Sequence, residues 1–184
     1  MTETIAIAHW RALDREGEDK CRLARAGQGH LLVGHARFRD GAGWAALDYV
    51  VRIGPDWRTM SADVTGEHAG IEIAWKFTRK GNDWTFNDTP VPDLAGAEDI
   101  DLAFTPATNL MPLRRLPQVG RIDTRSVWVR LPGPTLSVLT QSYTRARDHF
   151  VRYTAEESGY ETHLKVDDHG FVQLYPGLWE RADA

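Results

Sequence analysis

Apolar and polar residues alternate with period two in segment after segment of the chain, separated by short runs rich in Gly, Asn and Asp. From Ile71 to Phe77 the odd positions are Ile71, Ile73, Trp75 and Phe77, and the even ones are Glu72, Ala74 and Lys76. Such alternation predicts a strand with one buried and one wet face. Trp44 to Ile53 places Ala45, Leu47, Tyr49, Val51 and Ile53 on one face, and its other face is only partly polar. Further strands are predicted at Lys20 to Ala24, His30 to Phe38, Arg58 to Val64, Ser126 to Leu131, Leu136 to Tyr143, Phe150 to Thr154, Tyr160 to Val166 and Phe171 to Tyr175. Breaks such as Gly27-Gln28-Gly29, Asp40 to Gly43, Lys80 to Asp83 and Asp167 to Gly170 carry residues that tolerate positive φ, as hairpin turns require. The expected class is all-β and mainly antiparallel. About ten strands in one domain need a barrel, a half-open barrel or a sandwich to protect their edges.

One stretch departs from this rhythm. Five of the nine prolines, Pro90, Pro92, Pro106, Pro112 and Pro117, fall between Thr89 and Gln118, which excludes a central strand there. Thr105-Pro106 reads as a hydroxyl cap followed by proline at the first helical position, and Pro112 limits a helix starting there to about two turns. A short helix and an irregular crossover are therefore expected near 105–116. Because β patterning resumes afterwards, 1–184 reads as one domain, as a length of 184 also suggests.

Composition narrows the function classes. A chain 42% apolar and 26% charged is of the globular type, and its formal charge of −4 argues against a basic nucleic-acid binder. No apolar run approaches a membrane span, and charges break up Met1 to Cys21, so neither stable membrane insertion nor a signal peptide is expected. The single cysteine, Cys21, cannot form an internal disulfide, which favours a reducing cytoplasm. Seven tryptophans either fill the core or line a cavity, and periodicity does not separate the two.

Charge is distributed in blocks. Asp88, Asp93, Glu98, Asp99 and Asp101 stand without a base in Thr85 to Asp101, while Arg114, Arg115, Arg121, Arg125 and Arg130 face only Asp123 in Leu102 to Leu131. Two readings stay open: arginines holding an anionic group at a cavity mouth, or arginines paired with the preceding acids. Catalytic patterns are weak. Asp148-His149 has no nucleophile-elbow serine, and Ser137 and Ser142 sit on a strand with nothing to activate them. His30 and His35 fall on opposite faces of a strand, the paired acids lie in polar stretches, and the glycine pairs are turns. Neither a metal nor a cofactor is expected.

Asp101-Leu102-Ala103-Phe104-Thr105-Pro106-Ala107-Thr108-Asn109-Leu110-Met111-Pro112-Leu113-Arg114-Arg115-Leu116 resembles the hallmark of the glycolipid-binding family of small bacterial proteins, a D-L, T-P-x-T-N, P-[IL]-R-R-L string. Tyr49 to Thr59, Gln141-Ser142-Tyr143 and Val166 to Trp179 resemble its flanking pieces, so that the resemblance spans Leu32 to Arg181. Met111 and Ile53-Gly54-Pro55 depart from the pattern. The resemblance implies a single curved sheet closing into a barrel or half-barrel around an apolar cavity, similar to bacterial periplasmic lipoprotein carriers, with no established reaction.

The expected function is a non-enzymatic binding protein for a glycolipid or other lipid-like small molecule. Arg114 or Arg115 would meet the head group with Asn109 beside it, and Trp57, Tyr143 and Tyr175 are the aromatic candidates. Two alternatives remain. One is an enzyme using Tyr143, His149 or Asp101 as general acid or base. The other is a protein-interaction module, its partner unknown, built on an exposed edge or aromatic patch.

Overall fold

The computed structural model describes residues 2–147 and 149–182, so Asp148 lies outside the described residues. A first arm contains β1 (Thr2–Ala12), β2 (Gly17–Ala26), β3 (Gly29–Arg39), β4 (Trp44–Ile53), β5 (Thr59–His68), β6 (Ile71–Lys80), β7 (Asp83–Phe86) and β8 (Thr89–Pro90). A second arm contains β9 (Asp99–Leu102), β10 (Arg121–Arg130), β11 (Thr135–Arg145), β12 (Phe150–Ala155), β13 (Tyr160–Val166), β14 (Val172–Tyr175) and β15 (Trp179–Arg181). All fifteen belong to one sheet, running from β8 back to β1 and then from β15 back to β9. The last strand joins the arms, because β15 pairs with both β1 and β14. The sheet is curved and stops short of closure, a half-barrel.

Short connections make the sheet a meander of antiparallel neighbours. Gly27-Gln28 joins β2 to β3 and Ala69-Gly70 joins β5 to β6, with positive φ at Gly27, Ala69 and Gly70. In the β3–β4 turn the Asp40 carboxylate accepts the N–H groups of Ala42 (2.9 Å) and Gly43 (3.1 Å). The exception to antiparallel pairing is β9, which lies parallel to β10. It sits inside the proline-rich stretch, as an edge strand, which is the place proline flanks permit.

Burial follows the alternation in β4, where Ala45, Leu47, Tyr49, Val51 and Ile53 are all buried. In β6, Ile73, Trp75 and Phe77 are buried, but Ile71 is 69% exposed beside the Ala69-Gly70 turn. Strand β1 escaped the pattern because small residues face inward. Ala8, Trp10 and Ala12 are buried, whereas Ile7 points to solvent. The tryptophans divide as well: Trp10 and Trp84 fill the core, donating their indole N–H to the Val172 (2.7 Å) and Ala97 (2.9 Å) carbonyls. Trp75 and Trp179 are also buried, Trp57 and Trp128 are half-buried, and Trp44 is exposed.

Between the arms lies the crossover. A 3-10 turn at Ala107–Asn109 runs into α1 (Leu110–Arg115). The Thr105 hydroxyl accepts the Ala107 N–H at 3.0 Å, but Pro106 rather than Thr105 stands at the cap position, one residue later than expected, and neither helix carries a side-chain cap bond. Pro112 falls in the first turn of α1, where no intrahelical N–H is needed, and the chain turns extended at Leu116 before Pro117. Phe104 stacks on Phe38 of β3 (6.3 Å between centroids) and meets Tyr49 of β4 edge-on (6.1 Å), while Asn109 bonds Tyr143 of β11. Both arms therefore grip the crossover. Among the described residues no helix is long and apolar enough to cross a membrane.

Candidate functional site

Five strands of the second arm send aromatic side chains to one pocket of about 270 Å³, and β11 adds Leu139. Trp128 comes from β10, Tyr153 from β12, Tyr160 from the start of β13, Tyr175 from the end of β14 and Trp179 from β15. The hairpins bring these ends together: Tyr160 pairs with Ala155, and Tyr175 with Trp179. Ring centroids of Tyr153, Tyr160 and Tyr175 lie 5.9 to 6.2 Å apart, a continuous aromatic wall.

Polar groups reach the same pocket from the crossover and from β9. Asp101 accepts the Gln141 amide N–H at 2.8 Å, and Gln141 is itself oriented by the Ser126 hydroxyl (2.7 Å) and by donation to the Tyr153 phenol (2.9 Å). Burial pushes the Asp101 carboxyl up to about 6; the Gln141 bond works against this, and the Asp99 charge adds to it. Asn109 donates to the Tyr143 phenol at 2.9 Å. Thr105 also lines the pocket, and its hydroxyl donates to the fully buried Asp19, which accepts the Tyr49 phenol as well (2.8 Å). Burial raises Asp19 to about 6. The result is an aromatic wall facing a carboxylate, an amide and a hydroxyl. This is an arrangement that packs ring C–H faces while hydrogen-bonding hydroxyls.

The six residues nominated from the sequence separate into two groups. Asn109 and Tyr175 line the pocket, and Tyr143 lies buried behind Asn109. Arg114, Arg115 and Trp57 meet elsewhere. Arg115 grips Asp99 with both ends of its guanidinium (3.0 and 2.6 Å), and also donates to the Trp57 carbonyl (2.7 Å) and Thr124 (3.2 Å). It is thus paired with the acidic stretch and fastens the crossover to β9 and β10. Arg114 lies over the Trp57 ring at 4.4 Å, with His30 stacked on that indole at 3.9 Å. It faces a polar cleft of about 370 Å³ with Arg145 and His149. The other arginines of the basic stretch find local partners: Arg121 pairs with Asp123 (2.7 Å), Arg125 approaches the Ala95 carbonyl (3.5 Å), and Arg130 covers the Trp128 ring at 4.1 Å.

Of the acid–base candidates, only Asp101 opens on the tyrosine pocket; Tyr143 is buried, and His149 belongs to the Arg114 cleft. Sequence reasoning missed Tyr153 and Tyr160 as pocket residues, and placed Trp128 only among the tryptophans that either fill the core or line a cavity. Alternation was the available signal for them, but nothing in the chain states that β12 to β15 curl towards β9. Among the described residues no group of three or more His, Cys, Asp or Glu side chains is placed to hold a metal ion.

Fold and pocket together define a class: a β half-barrel whose open sheet holds a helical crossover and a pocket lined by aromatic side chains. Within that class, the chain belongs to the family described as "Putative glycolipid-binding", whose model matches residues 7–181. A crystal structure of a DUF1089-family protein from Pseudomonas aeruginosa is similar to it, at 28% identity over 89% of this chain and 91% of that one, with a TM-score of 0.77. No curated protein matches.

Proposed function

We propose that the chain is a non-enzymatic binding protein that takes the glycosyl part of a glycolipid, or the end of another acyl-chain amphiphile, into the tyrosine pocket. The observation that carries this reading is the meeting of Tyr153, Tyr160 and Tyr175 with Asp101, Thr105 and Asn109 around one space. Sugar rings present C–H faces that pack on aromatic rings, and their hydroxyls pair with carboxylate and amide groups. The pocket has a volume of about 270 Å³. That suits one sugar ring or a short acyl segment, with the remainder of the amphiphile outside. The family description supports the same ligand class. A reducing compartment such as the cytoplasm suits the one cysteine, Cys21, which is buried.

Dodecyl maltoside and fluorescent fatty acids are the probes, kept below their micelle concentrations, with tryptophan emission as readout because Trp128 and Trp179 line the pocket. Saturable binding that Tyr160→Ala weakens is expected. Absence of binding, together with denaturing mass spectrometry that finds no lipid on natively purified protein, overturns the reading.

A second reading, acid–base chemistry, is favoured by one observation: a carboxyl pushed up to about 6 inside the pocket, at Asp101. Its test is turnover of glycosides that follows that titration and is abolished in Asp101→Asn.

A further inference from the structure

Beside the tyrosine pocket lies a second space of about 230 Å³ that shares two of its lining residues, Ala103 and Trp128. Arg15, from the β1–β2 turn, and Arg130, at the end of β10, both line it. Each guanidinium rests on a tryptophan of the tyrosine pocket: Arg130 on Trp128 at 4.1 Å, and Arg15 on Trp179 at 5.7 Å, with Phe38 beneath it at 4.4 Å. The Nε of each arginine is buried without a hydrogen-bond partner. Buried guanidinium donors are normally satisfied, so two arginines with unused donor capacity border one space.

The nearby carboxylates make no hydrogen bond to either Nε. Asp40 also lines the space, but its oxygens are occupied by His68 (3.0 and 3.1 Å) and by the N–H groups of Ala42 and Gly43. Asp14 forms an ion pair with the Arg15 Nε at 3.7 Å, beyond hydrogen-bond distance. Arg130 has a long contact to the Ser137 hydroxyl (3.4 Å) and, among the described residues, no carboxylate partner.

We propose that this space is an anion subsite, and that Arg15 and Arg130 receive a phosphate, sulfate or carboxylate group of a ligand whose sugar or apolar part occupies the tyrosine pocket. The inference rests on the binding reading above and sharpens it: the preferred amphiphile is anionic, and its charged group is held by Arg15 and Arg130 rather than by Arg114 or Arg115. The shared Trp128 and Ala103 make the two spaces neighbours, so one ligand can span them. Trp128 would be sandwiched, with Arg130 over its ring and the ligand along its pocket side.

Calorimetric titration of the full chain with dodecyl phosphate, dodecyl maltoside and inorganic phosphate tests the subsite and separates its sources. Dodecyl phosphate is expected to bind about tenfold or more tightly than dodecyl maltoside, the effect of one charge-assisted hydrogen bond or more. Arg130→Gln and Arg15→Gln are each expected to abolish that preference while dodecyl maltoside still binds, which also shows that the variants are folded. Binding of inorganic phosphate by the wild type, lost in both variants, supports the subsite with a free anion as its source. Equal affinity for the two amphiphiles, or a preference that survives both substitutions, overturns the subsite and leaves the binding reading standing. If phosphate alone binds, the amphiphile reading fails and the subsite holds; if nothing binds, both fall.

Discussion

At the scale of single residues, burial decides which charged groups are structural. Asp99 is 1% exposed and Arg115 is 12% exposed, and each depends on the other. Arg115→Ala leaves Asp99 buried and unpaired and is expected to cost about 3–5 kcal/mol in urea unfolding. Its neighbour Arg114 faces a wet cleft, so Arg114→Gln is expected to cost less than about 1 kcal/mol in the same measurement. Adjacent in sequence, the two arginines differ because α1 turns one side chain towards β9 and the other towards Trp57. Asp101 carries a pH signature. Burial lifts its carboxyl from 3.8 to about 6, so between those values the folded chain holds a proton that the unfolded chain has released. Its contribution is therefore most favourable below about 3.8 and declines as pH rises to about 6. Asp101→Asn retains an acceptor for Gln141 and removes the buried charge. The variant is expected to be more stable than wild type at pH 7, on the order of 1–3 kcal/mol, with the difference vanishing near pH 4 in thermal melts. Asp19 shifts in the same direction in both proteins, so the comparison isolates Asp101.

At the scale of elements, the sequence was most legible where alternation and turn chemistry agreed. Trp44–Ile53 and Tyr160–Val166 have the ends that periodicity predicts, and β3 extends its predicted span by one residue at each end. Strand β1 was not legible, since its inward residues include two alanines and an outward one is Ile7. The short β7, β8 and β15 have too few residues to show a period. Strand β9 was hidden for a different reason: a parallel partner far along the chain leaves no hairpin signal. Packing between neighbouring strands supplies a test. A β-carbon added to Gly34 on β3 would lie 2.1 Å from the Tyr49 ring of β4, directly opposite in register. Gly34→Ala must displace that ring and break its bond to Asp19. The expected cost is about 2–4 kcal/mol by urea unfolding, combining overpacking with a broken buried hydrogen bond.

For the whole molecule, the consequential pairing is between β15 and the two arms. Removing everything after Gly177 would leave β1 and β14 as exposed edges and take Trp179 out of the pocket wall. Such a truncation is expected to lose cooperative unfolding and to elute as aggregate in size-exclusion chromatography; a monomer melting in one sharp transition would contradict the arms' dependence on β15. The candidate site is also a property of the whole. Its aromatic wall comes from the last four strands and its polar side from the crossover and β9. The sequence by itself determined an antiparallel β chain, the place and brevity of the helical crossover, and the family, because alternation, turn residues and a contiguous motif are local. It also named Asn109 and Tyr175, which do reach the pocket. Only the tertiary structure decided that Arg115 is consumed by Asp99, that Arg114 faces another cleft, and that Arg15 and Arg130 flank the tyrosines. The physical reason is sheet curvature: side-chain alternation fixes the face of each strand, but the twist and curvature that bring residues of β9 and β12 to one pocket, and the β1–β2 turn and β10 to the next, arise from packing among residues distant in the chain.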